Sequence, residues 1–353
     1  MAEPIRIGEV TIQPGERLTV DLPTAHLYTH TEMTMPVHVI HGKKPGPRLF
    51  VCAALHGDEI NGVEIIRRLL QLKLLEHLHG TLLAIPIVNV FGFVGRTRYL
   101  PDRRDLNRSF PGSVKGSLTA RLARLFMDEI VGKCTHGIDP HSGANHRINL
   151  PQIRAGLDDP ETERLARAFG APVIIDARLR DGSLRMAGAE KGIPTLVYEG
   201  GEALRFREGA ITAGLRGIVN VMRAIGLLHR RTKGKPTTES LVAQSTVWVR
   251  APKSGILVSS VVLGAHVKKG EVLAAVADPF GEQEIKVRAP LPGIVIGRLN
   301  LPLVHSGDAL FHLAVVDRTA GIDAILEAPE SGLDMEELGE DRIIRGELRR
   351  IPL

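Results

Sequence analysis

His56-Gly57-Asp58-Glu59 sets an imidazole and a carboxylate three positions apart, directly after the apolar run Leu49-Phe50-Val51-Cys52-Ala53-Ala54-Leu55. Both groups are suitable zinc ligands, and at a strand-to-helix turn both can face one point. Alone the pair is a weak motif; the buried strand before it strengthens the signal. A catalytic zinc needs a third protein ligand and one open position. His141, in Ile138-Asp139-Pro140-His141-Ser142-Gly143, offers that ligand, and Asp139 can orient its ring from behind. His136 and His146 compete for the same place. Hydrolysis also needs a base. Glu199 closes the run Pro194-Thr195-Leu196-Val197-Tyr198 and can carry a proton from water to a departing amine; Glu202 is its rival. Arg98 could stabilise an oxyanion, and Asn107 with Arg108 could hold a substrate carboxylate.

These residues must be positioned by the elements around them. Residues 1–45 read as short strands broken by Pro and Gly. Leu49 to Leu55 reads as a buried strand, and apolar residues at helical spacing predict a helix from Asn61 to His77. A strand from Thr81 to Val90, interrupted at Pro86, precedes a long Gly-, Pro- and Arg-rich connection from Phe91 to Gly116. Helices follow at 119–131, 160–169 and 209–228, and strands at 173–176 and 195–198; the segment 136–151 reads as a loop. Alternating strands and helices predict a mostly parallel sheet covered by helices, with ligands beyond the strands' carboxyl ends. After the linker-like Arg230 to Pro236 the style changes to short strands separated by Gly, Pro and Asp. That region contains a quasi-repeat, Val249 to Val258 against Val287 to Ile296, which suggests a pseudo-symmetric β unit. The expected division is residues 1–235, an all-β unit at 245–317, and a charged tail at 318–353.

The chain has 353 residues, a length that suits two units, and its 43% hydrophobic content supplies a sizeable core. A net charge of +5 does not establish a nucleic-acid partner, and aromatics at 4% leave stacking platforms poorly supplied. Arg96, Arg98, Arg103, Arg104 and Arg108 crowd one stretch and read as local recognition of an acid. Two cysteines cannot form a disulfide framework; Cys52 reads as a small buried hydrophobe. No apolar stretch is long enough for a membrane span, and the reducing cytoplasm is the expected compartment.

Taken in order, His56-Gly57-Asp58-Glu59, Arg98-Tyr99, Asp105-Leu106-Asn107-Arg108-Ser109-Phe110-Pro111-Gly112, Asp139-Pro140-His141 and Tyr198-Glu199-Gly200 resemble the succinylglutamate desuccinylase/aspartoacylase family, which is related to the zinc carboxypeptidases. The resemblance covers roughly Leu49 to Leu228. It implies a carboxypeptidase-like α/β/α fold with one zinc ion per chain, held by His56, Glu59 and His141. It implies Glu199 as general base, Arg98 as carbonyl polariser, and Asn107 with Arg108 in substrate binding. Leu150-Pro151-Gln152-Ile153-Arg154 is similar to bacterial members and adds Arg154 to the substrate residues. The implied reaction removes an acyl group, such as acetyl or succinyl, from a small carboxylate-bearing amino acid. Neither nucleic acid nor membrane is an expected partner, and self-association is left open. The alternatives are a metallocarboxypeptidase acting on short peptides and a scaffold that kept the fold without catalysis. Pro140 departs from the family, which usually has leucine there; proline fixes φ and removes a backbone donor. The C-terminal repeat resembles biotinyl or lipoyl carrier domains, but its hairpin, Ala277 to Gln283, has no lysine to modify, so an accessory role is expected.

Overall fold

The computed structural model describes residues 2–229 and 240–316. In chain order the strands are β1 (Ile5–Ile7), β2 (Val10–Ile12), β3 (Arg17–His26), β4 (Glu32–His41), β5 (Lys44–Cys52), β6 (His79–Ile85), β7 (His136–Gly143), β8 (Arg147–Ala155), β9 (Val173–Asp176), β10 (Thr195–Glu202), β11 (Leu241–Ala243), β12 (Ser245–Arg250), β13 (Gly255–Ser259), β14 (His266–Val267), β15 (Val272–Ala277), β16 (Glu284–Arg288), β17 (Gly293–Leu299), β18 (Leu303–Val304) and β19 (Ala309–Val315). The α-helices are α1 (Asn61–Leu69), α2 (Val90–Gly95), α3 (Leu118–Glu129), α4 (Pro160–Phe169), α5 (Leu184–Ala189) and α6 (Glu208–Ala224).

One large mixed sheet runs in the order β12-β19-β17-β8-β10-β7-β5-β6-β4-β3. Its centre is parallel: β6, β5, β7 and β10 pair in that sense. β4 and β8 flank this centre in antiparallel pairing. The fold is therefore mixed α/β. The strand β5 is apolar throughout its second half because both faces are covered. Leu49 and Val51 pack with α1, α4 and α6, and Phe50 and Cys52 pack with α3 on the other face.

Several element boundaries differ from expectation. The helix expected to run to His77 ends at Leu69, and a short 3-10 turn at Lys73–His77 follows. The strand expected to reach Val90 ends at Ile85, just before Pro86. The connection expected between Phe91 and Gly116 contains most of α2 and a 3-10 turn at Leu106–Arg108. The largest correction concerns 136–151, which is not a loop. It forms β7 and the start of β8. Gly137 is needed in β7 because a Cβ there would lie 2.1 Å from the Phe50 ring. Pro140 is tolerated because the ladder between β5 and β7 ends at Ile138.

The quasi-repeat folds as two strand–turn–strand copies, β12 to β13 and β16 to β17. Gly255 and Gly293, equivalent in the repeat, each lie where a Cβ would press on a backbone carbonyl, that of Ala277 at 2.4 Å and that of Ala314 at 2.3 Å. The C-terminal strands do not stand apart from the large sheet. β17 pairs with β8, matching Gly297 to Asn149, and β11 extends β9. The expected linker, Arg230 to Pro236, and the expected tail at 318–353 lie outside the described residues. No helix among the described residues is long and apolar enough to cross a membrane.

Candidate active site and metal centre

The chain leaves β5 through Ala54, whose φ of 51° turns it sharply into His56 and Glu59. Gly57 lets this turn pass beneath α2, since a Cβ there would meet the Gly92 carbonyl carbon at 1.8 Å. Asn61, at the start of α1, locks the turn to the end of β10. Its amide donates to the Glu202 carbonyl at 2.9 Å and accepts from the Arg207 N–H at 2.9 Å.

From β7, His141 enters the same space. His56, Glu59 and His141 are buried, and one ligating atom from each lies within 4.8 Å of the others. Nδ1 of His56 is 2.8 Å from Glu59 Oε1, and Nδ1 of His141 is 2.7 Å from Glu59 Oε2. The far nitrogens face other carboxylates: His56 Nε2 meets Asp105 at 3.1 Å, and His141 Nε2 meets Asp139 at 2.7 Å. The thiol of Cys52, itself buried, donates to Asp139 at 3.6 Å. Both nitrogens of each ring thus face carboxylate oxygens; with the ring proton on Nε2, an Nδ1 lone pair is aimed at Glu59. Lone pairs facing carboxylate oxygens at such distances require a proton or a cation between them. A two-histidine, one-glutamate donor set with carboxylates behind both rings fits zinc.

The electrostatics follow from burial and from these contacts. Burial opposes ionisation of Glu59, but the two histidines hold its carboxyl well below the usual range. Burial likewise opposes protonation of His141, and Asp139 and Glu59 overcome it, raising the imidazole well above its ordinary value.

Glu199 sits beside His141 in register on the neighbouring strand. The ladder slips immediately after it, with Gly201 at a φ of 77°, so the strand bulges at the site. The Asn149 amide donates to Glu199 at 2.8 Å, and the Arg154 guanidinium lies 3.6 Å away. Burial pushes the Glu199 carboxyl up, against the pull of Arg154 and His141. Arg98 bridges the centre, 3.2 Å from Glu59 and 2.8 Å from Asp105.

A cleft of about 400 Å³ opens over this centre. All eight residues singled out from the sequence line it: His56, Glu59 and His141, then Glu199 with Arg98, then Asn107, Arg108 and Arg154. Asn107 is already half engaged, since its Oδ1 accepts the Leu184 N–H at 2.9 Å and only its amino group is left for a ligand. The rival residues stand elsewhere. Glu202 is held by Arg207 and by Asn300, the latter at 2.7 Å. His136 is at the opposite end of β7, about 16 Å away at strand rise, and His146 is an exposed turn residue. Of the five crowded arginines only Arg98 and Arg108 reach the cleft; Arg96 and Arg103 instead occupy exposed turns at positive φ.

Sequence reasoning missed three kinds of residue. Asp105 orients His56, and its signal was present: an acid two residues before a site residue, as Asp139 precedes His141. Asn149 depends on strand register, which has no local mark. Trp248 reaches the cleft from the C-terminal strand β12 and stacks on His312 with ring centroids 4.1 Å apart.

Such a sheet, with one polar cleft at the carboxyl ends of its parallel strands and a His-Glu-His cluster on its floor, defines an α/β protein of the ligand-at-strand-end type. More particularly, the chain belongs to the succinylglutamate desuccinylase/aspartoacylase family, whose catalytic-domain model matches residues 45–225. It is 29% identical over 303 residues to N-alpha-acetyl-L-2,4-diaminobutyric acid deacetylase of Halomonas elongata, covering 81% of this chain and 87% of that protein. Among solved structures, the product-bound ectoine utilization protein EutE (DoeB) of Ruegeria pomeroyi superposes with a TM-score of 0.77 at 26% identity, covering 89% of this chain and 98% of that one. A succinylglutamate desuccinylase of Silicibacter sp. TM1040 shares the fold, with a TM-score of 0.77, 24% identity, and coverage of 89% and 98%.

Proposed function

We propose that the protein is a zinc-dependent amidohydrolase that removes the acyl group from an N-acyl amino acid or a related small amide. The observation that carries this is the convergence of both Nδ1 atoms on Glu59, with Glu199 alongside in the same cleft. The relative that removes acetyl from an acylated diamino acid supports the same reaction class. One zinc ion per chain, held by His56, Glu59 and His141, would supply Lewis acidity, polarising a carbonyl and acidifying water.

The chain's own groups do the rest. Asn107 and Arg108 hold the amino-acid carboxylate. Arg98, kept in place by Asp105, donates to the oxygen that gains charge as water adds to the acyl carbon. Glu199 takes a proton from that water and returns it to the nitrogen as the C–N bond breaks, so the products are a carboxylic acid and an amine. Its raised pKa brings it closer to the leaving nitrogen's needs than an ordinary carboxylate would be. The C-terminal strands are an accessory unit that completes the cleft through Trp248, and not a carrier of a modified lysine.

The test is Glu199→Gln, assayed on acetylated and succinylated amino acids with zinc measured in the same samples. Zinc is retained and kcat falls about 10²–10⁴-fold. Near-normal turnover would remove Glu199 from the proton path and with it this reading.

A further inference from the structure

Glu199 is held by two residues of β8 that a regular strand would keep apart. The Asn149 amide donates to one carboxylate oxygen at 2.8 Å, and the Arg154 guanidinium stands 3.6 Å from the other. Five positions apart, these side chains would lie on opposite faces of an even strand. The pairing with β10 shows how both reach the same face. Glu199 stands opposite Gln152 and Gly201 opposite Asn149, so β8 advances three residues where β10 advances two. The extra residue is a bulge, and it turns Asn149 toward the cleft.

On its other margin β8 pairs with β9 from Gln152 to Ala155, and with β17 from Arg147 to Asn149. The change of partner falls at the bulge, so a C-terminal strand holds the segment that carries Asn149. Gly297 is the β17 residue opposite Asn149. A Cβ at Gly297 would lie 3.1 Å from Asn149 Oδ1 and 3.3 Å from His312 Cβ. The two neighbours differ in how far they can yield. His312 is buried and stacked flat on Trp248, with the rings 2° from parallel and their centroids 4.1 Å apart, and Arg147 lies over that indole at 5.4 Å. The Asn149 amide can swing about its own side-chain bonds, since the second of them is a soft torsion. A methyl at position 297 therefore displaces the amide and not the ring.

We infer that the C-terminal strands act on the reaction itself: β17, through Gly297, sets the position of Asn149, and Asn149 holds the Glu199 carboxylate in its place over the cleft. This rests on the proposed role of Glu199 as base, and it makes Asn149 and Gly297 positioning residues. With the amide moved, the carboxylate is left to Arg154 and is drawn toward that guanidinium. Asn107 and Arg108, which hold the substrate carboxylate in the reading above, are not touched, and neither are His56, Glu59 and His141.

The experiment uses the zinc-loaded full chain with Gly297→Ala, Asn149→Ala and the double variant, assayed on acetylated and succinylated amino acids. Gly297 is not among the glycines at positive φ, so alanine adds a methyl without backbone strain. Asn149→Ala removes a hydrogen bond to a charged group, and kcat falls about 10–100-fold. Gly297→Ala lowers kcat about tenfold, less than the loss expected for a full 1 Å misplacement. KM and zinc content stay at parental values in both. In the double variant Gly297→Ala adds no more than about twofold to the loss from Asn149→Ala, because the methyl then enters the space of the missing amide. A merely structural defect would persist in that background. Parental kcat in either single variant, full additivity in the double variant, or a raised KM with kcat unchanged overturns the inference. A Gly297→Ala chain that folds only when Asn149→Ala is added identifies the amide as what the methyl meets; one that folds in neither background overturns the inference. Crystal structures of the parent and of Gly297→Ala supply a readout that needs no substrate. The contact between Asn149 and Glu199 lengthens out of hydrogen-bond range in the variant, and an unchanged contact overturns the inference. If the parent hydrolyses no acyl amino acid, the amidohydrolase reading fails, and the two crystal structures decide this one.

Discussion

Asp105 offers the sharpest test of how the centre is held. One oxygen meets His56 Nε2 at 3.1 Å and the Asn107 N–H at 2.9 Å; the other takes Arg98 at 2.8 and 3.2 Å. Burial would raise this carboxyl, but the His56 contact and the Arg98 charge hold it far below the usual range. Asp105→Asn preserves shape and removes the charge. The amide has one acceptor, so whichever way it turns, a donor faces either Arg98 or the pair formed by His56 and Asn107. If His56 keeps the acceptor, the imidazole is a weaker ligand because its partner is no longer anionic. If it loses the acceptor, the ring is free to turn. Partners of this kind typically contribute about 10–100-fold to metal affinity, which is about 1.4–2.7 kcal/mol. The assay is zinc competition against a chelator of known affinity, with a thermal melt to establish that the variant folds. A folded variant with zinc affinity within about twofold of the parent would refute the orienting role of Asp105 and the donor geometry deduced from it.

Other expectations can be checked on stability. His312 is buried beneath Trp248, and burial with the charges of Arg154 and Arg147 lowers its pKa from 6.5 to about 3. The folded chain keeps this ring neutral while the unfolded chain protonates it near 6.5. Stability is therefore unaffected above that pH and falls as pH drops from 6.5 toward 3, by about 1.4 kcal/mol per unit. Urea midpoints at pH 7 and pH 5 should show a loss on the order of 2 kcal/mol, smaller in His312→Phe, which keeps the stack; equal losses would place the pH sensitivity elsewhere. Gly137→Ala forces a methyl against Phe50, which is fully buried and packed edge-on to Phe126. It should destabilise by about 1–3 kcal/mol in denaturant unfolding, and no loss would mean that the strand has room that its packing denies.

The parts legible in the sequence were those with strong local signals. α4 and β9 fall at their expected residues because Asp159-Pro160 marks a helix start and Val173-Ile174-Ile175 is an apolar run. His56, Glu59, Glu199 and their companions were legible because several separated motifs point to one chemistry. β7 was not. Beyond Ile138 it carries Asp139, Pro140, His141, Ser142 and Gly143, polar or small because this strand end is the site itself, so no strand pattern survives there. The arginines lining the cleft beyond Arg108 and Arg154 were equally silent. Arg147, Arg178 and Arg185 come together only through the pairing of β8, β9 and β10, and nothing in their spacing announces that.

Where β17 meets β8, Gly297 stands opposite Asn149, and a Cβ there would come within 3.1 Å of that amide's oxygen. The glycine leaves Asn149 room to reach Glu199. The C-terminal strands are thus built into the same large sheet as the site. A chain cut before β11 would expose the margin of β8 and that of β9, two adhesive borders. It would also loosen the strand that steers the carboxylate. The two halves meet closely at this seam, where a residue without a side chain in one half leaves space for a residue of the other.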